Sequence, residues 1–212
     1  MSLFGPKKLI RDSEWLRVYV SDDGKSYHYE SKFIVDNLQV SAEAFKRRWP
    51  TLSPDEKHEF ADAFSCHVPN SADHQQILGF LMQFGPEKIR DSIARVVPYY
   101  ADRDAALEFL LRGLRAGGRP RSHYYQALEM VEDGRAIPIL VEHYEEYRPL
   151  VAGRPQGRDS MGLWFDYLQC CKTLLTLTAD QRYLADLKGA ATAVPRWARP
   201  FASFLLGQAE SK

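Results

Sequence analysis

One apolar pattern recurs along most of this chain and limits its fold more than any other feature. Five segments carry apolar residues at positions i, i+3, i+4 and i+7, a spacing that puts them on one face of an α-helix. Each such helix has to bury that face against a neighbour, so the pattern predicts a packed, mostly helical protein. The five sets are Ile77, Phe80, Leu81 and Phe84; Leu107, Leu110, Leu111 and Leu114; Tyr124, Ala127, Leu128 and Val131; Ile137, Leu140, Val141 and Tyr144; and Trp164, Tyr167, Leu168 and Cys171.

Short breaks separate these segments. Gly85-Pro86 ends one helix and opens the next, and Asp102 can cap the start of another. Ser53 and Glu56, three positions apart, predict a capping box at the start of an earlier helix. Loops this brief predict that consecutive helices pack antiparallel. The polar stretch from Leu150 to Asp159 is longer, which indicates an insertion or a functional loop.

The first forty residues follow a different pattern. Trp15–Val20 and Tyr27–Val35 are rich in β-branched and aromatic residues, and Asp23-Gly24 between them suits a tight turn. We therefore expect an N-terminal β-hairpin within residues 1–40. It would pack on a helical domain of residues 41–212 that forms one structural unit.

The segment Gln126–Tyr144 resembles the helix–turn–helix core of HEAT-like repeats, and Ile93–Leu111 and Lys172–Leu187 are weaker copies. The resemblance implies an all-α fold, a short right-handed α-α superhelix of antiparallel helix pairs that presents an extended surface. Such proteins usually bind other proteins, although some are lyases acting on bilin cofactors and others are DNA glycosylases. The matching residues are Ala127, Leu128, Asp133, Gly134, Arg135, Ala136 and Pro138.

Charge and hydropathy argue against two classes of partner. Lysine plus arginine and aspartate plus glutamate both number 28, so no overall field attracts nucleic acid or an anionic membrane. The longest apolar stretch, Met161–Ala179, is interrupted by Asp166 and Lys172 and predicts no membrane span. The first residues lack the apolar core of a signal peptide, which favours a cytoplasmic location.

The sequence predicts neither a metal site nor a catalytic one. The three cysteines, Cys66, Cys170 and Cys171, are expected to be buried small hydrophobic residues. Histidines are expected at the surface or at helix ends, and His58, Cys66, His67 and His74 lack metal-ligand spacing. A nucleophile elbow and a phosphate-binding glycine loop are both missing. We therefore predict a protein that is not an enzyme and needs no cofactor.

Charge segregation marks the candidate binding site. Four arginines fall within ten residues that contain no acid, and an acidic block follows them. Basic residues at a helix C-terminus are one interpretation. The other is a patch that binds an anion or an acidic protein, because arginine and tyrosine are enriched at interface hot spots. The candidate residues are Arg112, Arg115, Arg119, Arg121, His123, Tyr124, Tyr125, Glu142, Glu145 and Glu146, with Glu132 and Asp133 in the same acidic block.

These features support three hypotheses about function. The first is a non-enzymatic protein-interaction or scaffold module that uses the face of the helical stack. The second is a nucleic-acid-binding or DNA-glycosylase-like protein in which Trp164 and Asp166 flank a flipped base. The third is an immunity-type protein that neutralises a toxin.

Overall fold

The structure is a computed structural model that describes residues 7–12, 16–21, 27–31, 41–66, 68–117 and 121–210. The described residues are mostly helical, with one small sheet. The strands are β1 (Lys7–Asp12), β2 (Leu16–Ser21) and β3 (Tyr27–Ser31). The helices are α1 (Ala42–Arg48), α2 (Pro54–Phe64), α3 (Ala72–Phe84), α4 (Glu87–Ile93), α5 (Arg103–Arg115), α6 (Ser122–Val131), α7 (Ile137–Ala152), α8 (Met161–Thr178), α9 (Gln181–Ala193) and α10 (Arg199–Glu210).

The chain divides into two compact units, residues 1–101 and 102–212. The division falls at Ala101, whereas the sequence predicted a boundary after residue 40. The reason lies in the sheet, which packs on α2 through β2 and β3. Val18 of β2 and Ala63 of α2 are buried together, so the strands and the first helices share one core.

The predicted hairpin is confirmed, and a third strand extends it. β2 pairs with β3 in antiparallel register, with Val18 opposite Tyr29. β1 pairs with the other edge of β2, and its register is irregular between Leu9 and Arg11. The predicted turn at Asp23-Gly24 and the predicted strand residues after Ser31 lie outside the described residues.

Aromatic side chains form the core of the first unit. Phe45 of α1 lies 4.9 Å from Phe60 of α2 and 5.3 Å from Trp49, measured between ring centroids. The predicted capping box at the start of α2 is confirmed. Ser53 Oγ accepts from the Glu56 N–H over 3.2 Å, and the Glu56 carboxylate accepts from the Ser53 N–H over 2.9 Å.

Helix α8 lies at the centre of the second unit. It contacts α6, α7, α9 and α10, while α5 packs on α6. α6 and α7 both pack against α8. They also contact each other, since the Tyr125 hydroxyl of α6 lies within hydrogen-bond distance of His143 and Tyr147 of α7. Within the described residues, no helix is both long and apolar enough to cross a membrane.

One predicted core residue is on the surface, since Phe84, the last residue of its helix, is 58% exposed. Phe204 of α10 is 60% exposed as well. The buried face of α7 is also rotated from the predicted one. Leu140 and Tyr144 are buried as expected, but Tyr147 is buried in place of Ile137.

Candidate functional site

The predicted basic cluster does not form one surface. Arg112 and Arg115 are exposed in the last turn of α5, where they suit the negative end of the helix dipole. Arg119 lies outside the described residues. Arg121 immediately precedes α6, and its side chain is only 14% exposed.

The acidic block meets the basic cluster at an ion pair between Arg121 and Glu146. Glu142, Glu145 and Glu146 are exposed on α7. Of these, Glu146 accepts from Arg121 Nη1 at 3.4 Å. The charge contrast seen in the sequence is therefore partly neutralised within the protein.

Two tyrosines of the predicted patch belong to the core, which corrects the interpretation of them as surface contacts. Tyr124 and Tyr125 are both buried, and His123 beside them is half-buried. Tyr124 packs against the helix before it, since a Cβ at Gly113 would lie 2.1 Å from its ring. Tyr124 therefore faces α5, and Tyr125 faces α7, where its hydroxyl contacts His143.

A buried hydrogen-bond network surrounds Tyr125. Its hydroxyl lies 2.9 Å from His143 Nδ1 and donates to the Tyr147 hydroxyl over 3.2 Å. Arg121 Nη1 donates to the same Tyr147 oxygen over 3.0 Å. The tautomer of His143 determines which of the two groups donates in its contact with the Tyr125 hydroxyl.

Burial keeps the members of this network uncharged, apart from the arginine. Desolvation raises the pKa of Tyr125 and of Tyr147. Desolvation and, after it, the nearby Arg121 charge lower the pKa of His143 below its ordinary value. His143 is 6% exposed, which corrects the expectation that the histidines lie at the surface or at helix ends.

A set of polar contacts joins α6 to α8, and we call it the polar ladder. At the start of α6, the Arg121 N–H donates to the buried Asp166 Oδ1 over 2.7 Å. In the middle, the Thr173 hydroxyl donates to the Tyr125 carbonyl over 3.1 Å. Near its end, Glu129 accepts from Lys172 and from Thr176. The contacts advance in the same direction along both helices, so α6 and α8 run parallel.

The residues proposed to flank a flipped base lie in the core. Trp164 and Asp166 are both buried, and the indole Nε1 donates to the Pro155 carbonyl over 2.9 Å. Asp166 accepts at the start of α6, where a carboxylate also stabilises the positive end of the helix dipole. In this arrangement neither side chain is placed to stack on or bind a base.

The surface grooves beside α8 include two candidate binding sites. The first lies between α6, α8 and α10 and encloses about 370 Å³. Its lining includes Met130, Lys172 and Phe204. The second, the arginine groove, lies between α7, α8 and α9, encloses about 280 Å³, and is lined by Arg148, Arg154 and Asp186 among others.

The cysteines divide into two environments. Cys170 and Cys171 are buried as predicted, and burial raises the pKa of both thiols. Cys66 is exposed, which corrects the expectation that all three are buried. Among the residues that the structure describes, no group of three or more His, Cys, Asp or Glu side chains is placed to hold a metal ion.

Sequence analysis missed His143 and Tyr147, and it placed Asp166 beside a flipped base rather than at the start of α6. A usable signal was present for the first two. Leu140, His143, Tyr144 and Tyr147 repeat the same i, i+3, i+4, i+7 spacing, and the pattern is overlooked only because histidine is polar.

Comparisons with protein-family models, with curated proteins and with solved structures find no match to this chain.

Proposed function

We propose that this chain is a non-enzymatic protein-interaction module that binds an extended segment of a partner protein in the groove between α6, α8 and α10, which we call the peptide groove. The observation that carries the proposal is the pair of apolar side chains at the rim. Phe204 is 60% exposed and Met130 is 42% exposed, and both line the same groove. Single exposed apolar residues are common, but two at one concave site mark a place where a partner can bury apolar area.

The walls of the groove are held in place before any partner binds. Phe201 packs edge-on against Phe165 with ring centroids 4.6 Å apart, and Leu205 is buried beneath it. At the floor, Lys172 is 5% exposed and pairs with Glu129, which also accepts from Gln169 Nε2 over 3.3 Å. A groove that is already formed lowers the ordering cost of binding.

The polar groups of the groove favour an extended peptide over a helix. Gln126, Gln169 and Gln208 line it, and a side-chain amide both donates and accepts. A peptide in extended conformation offers free backbone N–H and C=O groups to such amides, whereas a helix has already paired its own. An apolar partner side chain would then lie between Met130 and Phe204.

The parallel arrangement of α6 and α8 supports the HEAT-like interpretation of the second unit. The polar ladder joins residues 43, 45, 47 and 48 positions apart in the chain. HEAT and armadillo repeats have a period of about 40–47 residues, and equivalent helices of successive repeats lie side by side. By this interpretation α6 and α8 are equivalent helices of two neighbouring repeats in a short right-handed superhelix.

Selection from a displayed library of random linear peptides on the immobilised full-length chain tests the proposal. We expect enriched peptides to share one large apolar residue. Binding of a synthesised peptide, measured by fluorescence polarisation, should weaken about tenfold or more in Phe204→Ser, since losing a central aromatic anchor costs about 2 kcal/mol. Met130→Ser should weaken it as well.

Met161→Ser is the matched control, because Met161 is 49% exposed on the same unit and is not among the residues lining the groove. It should leave peptide affinity unchanged. Failure to enrich any peptide would overturn the proposal. Equal binding by wild type, Met130→Ser and Phe204→Ser would overturn it too, because the peptide would then lie elsewhere.

A further inference from the structure

The arginine groove carries a second, separate site. Its walls come from the end of α7 and the turn after it, from α8 and from α9. Arg148 and Arg154 both line this groove of about 280 Å³. Gly189 and Ala190 of α9 add little side-chain volume and leave the space open.

The charges of these arginines are weakly compensated. Arg148 Nη1 lies 4.0 Å from Glu145 Oε2, beyond hydrogen-bond distance, and both side chains are more than half exposed. Within the part of the chain that the structure describes, Arg154 forms no ion pair. The remaining charge in the lining is that of Asp186, whose carboxylate accepts a hydrogen bond from the Tyr144 hydroxyl.

Arg154 adopts a backbone conformation that costs energy. Its φ of +49° is in the left-handed region, which a residue with a Cβ adopts at a cost of about 1–2 kcal/mol. The preceding Gly153 could take that conformation without strain, but its φ is −70°. The chain therefore holds the strained conformation at the residue whose side chain lines the groove, a common arrangement at ligand sites.

The surrounding residues hold this turn in place. Trp164 Nε1 donates to the Pro155 carbonyl, and Gln156 Nε2 donates to the Arg154 carbonyl over 3.0 Å. Opposite the turn, Tyr144 fixes Asp186 while stacking on Tyr167 with centroids 6.0 Å apart. The long polar segment after Leu150, which the sequence marked as an insertion or a functional loop, is the segment that supplies Arg154.

We infer that the arginine groove binds a small oxyanion, a phosphate or a carboxylate, between Arg148 and Arg154. Guanidinium groups match the planar, bidentate geometry of both kinds of oxyanion. The negative charge of Asp186 repels a bare anion, so an anion that carries an adjacent hydrogen-bond donor should bind better. A carboxylate beside an ammonium group would satisfy both charges of the groove.

Thermal unfolding of the full chain with added ligand tests the inference. The probes are inorganic phosphate, acetate and glycine, each at constant ionic strength, with chloride as the reference. We expect Tm to rise with the concentration of phosphate or of the carboxylates, and glycine to act at lower concentration than acetate. The stronger of the phosphate and carboxylate effects identifies the class of oxyanion.

Two variants separate binding from stability. Arg154→Gly should unfold at an equal or higher temperature without ligand, because glycine relieves the strain, and should lose the ligand-dependent rise. Arg148→Gln should also lose that rise, whereas Arg115→Gln on α5 should keep it. An arginine that only stabilises the C-terminal end of α7 would change Tm equally with and without ligand.

The inference is overturned if no probe raises the Tm of the wild-type chain. It is also overturned if the rise persists unchanged in both Arg148→Gln and Arg154→Gly. Because the peptide groove lies between other helices, neither result depends on whether a peptide binds there.

Discussion

Replacing Gly113 by alanine should destabilise the second unit, although alanine is the better helix former. Gly113 lies within α5, where the substitution by itself would gain about 1 kcal/mol of helix propensity. Its position against α6 reverses that expectation. A Cβ there would lie 2.1 Å from Cε1 and 2.6 Å from Cζ of the Tyr124 ring.

The magnitude follows from the geometry of the contact. Carbon atoms in van der Waals contact lie about 3.5–4.0 Å apart, so the ring has to retreat by more than about 1 Å. Tyr124 is buried, and an added methyl group in a packed core costs about 1–3 kcal/mol. After the gain in propensity, we expect a net loss of up to about 2 kcal/mol. Such a loss lowers the Tm of a domain of this size by about 4–8 °C per kcal/mol.

The assay is thermal and urea unfolding followed by circular dichroism. Gly189→Ala and Gly207→Ala are matched controls, because both glycines are helical in the same unit and an added Cβ would meet no atom within 4 Å. These controls should gain about 0.5–1 kcal/mol. Tyr124→Leu combined with Gly113→Ala should show coupling, since it removes the contacted ring. A Gly113→Ala chain as stable as the controls would refute the reasoning.

Three other predictions concern pH, thiol chemistry and backbone strain. The pKa of His143 is lowered in the folded chain, so the neutral imidazole contributes its full stabilisation above the unfolded pKa near 6.5 and loses it as the pH falls below that value. The unfolding free energy of His143→Gln should therefore fall less than that of wild type as the pH is lowered below about 6.5. In the native chain a disulfide reagent should modify Cys66 rapidly, and Cys170 and Cys171 only after unfolding, as mass spectrometry would show; fast modification of all three would contradict their burial. Ala179 ends α8 with a φ of +56°, a left-handed conformation that glycine adopts without strain, so Ala179→Gly should raise the unfolding free energy by about 0.5 kcal/mol or more in urea titrations. A loss of stability would show that the strain is smaller than the conformational entropy that glycine adds to the unfolded chain.

The helices could be predicted where their signals are local. The capping box of Ser53 and Glu56 and the cap at Asp102 depend on residues three positions apart, and both form as expected. Burial depends on a neighbour that the sequence does not identify. Phe84 and Phe204 satisfy their helical patterns and are exposed, because no described residue covers enough of either ring.

The candidate site was predictable only in part, since its key contacts join distant segments. The charge pattern selected Arg121 and Glu146, which do form an ion pair. Asp166 contacts Arg121 across 45 positions, and periodicity within one helix carries no information about such a pairing. His143 was excluded from the apolar template as a polar residue, although its hydrogen bond to Tyr125 is what allows its burial.

The polar ladder explains why α6 and α8 keep one relative position. Burial of apolar side chains is non-directional, so by itself it opposes a shift of one helical turn, about 5.4 Å, only through the fit of the packed side chains. Here such a shift would separate Asp166 from the Arg121 N–H and Lys172 from Glu129 at the same time. Each buried charge left without its partner costs several kcal/mol, more than the gain from any alternative apolar contact of similar area. The buried polar contacts therefore specify the register between the two parallel helices. That register also determines the geometry of the peptide groove, because Glu129 and Lys172 belong to the polar ladder and line the floor of the groove.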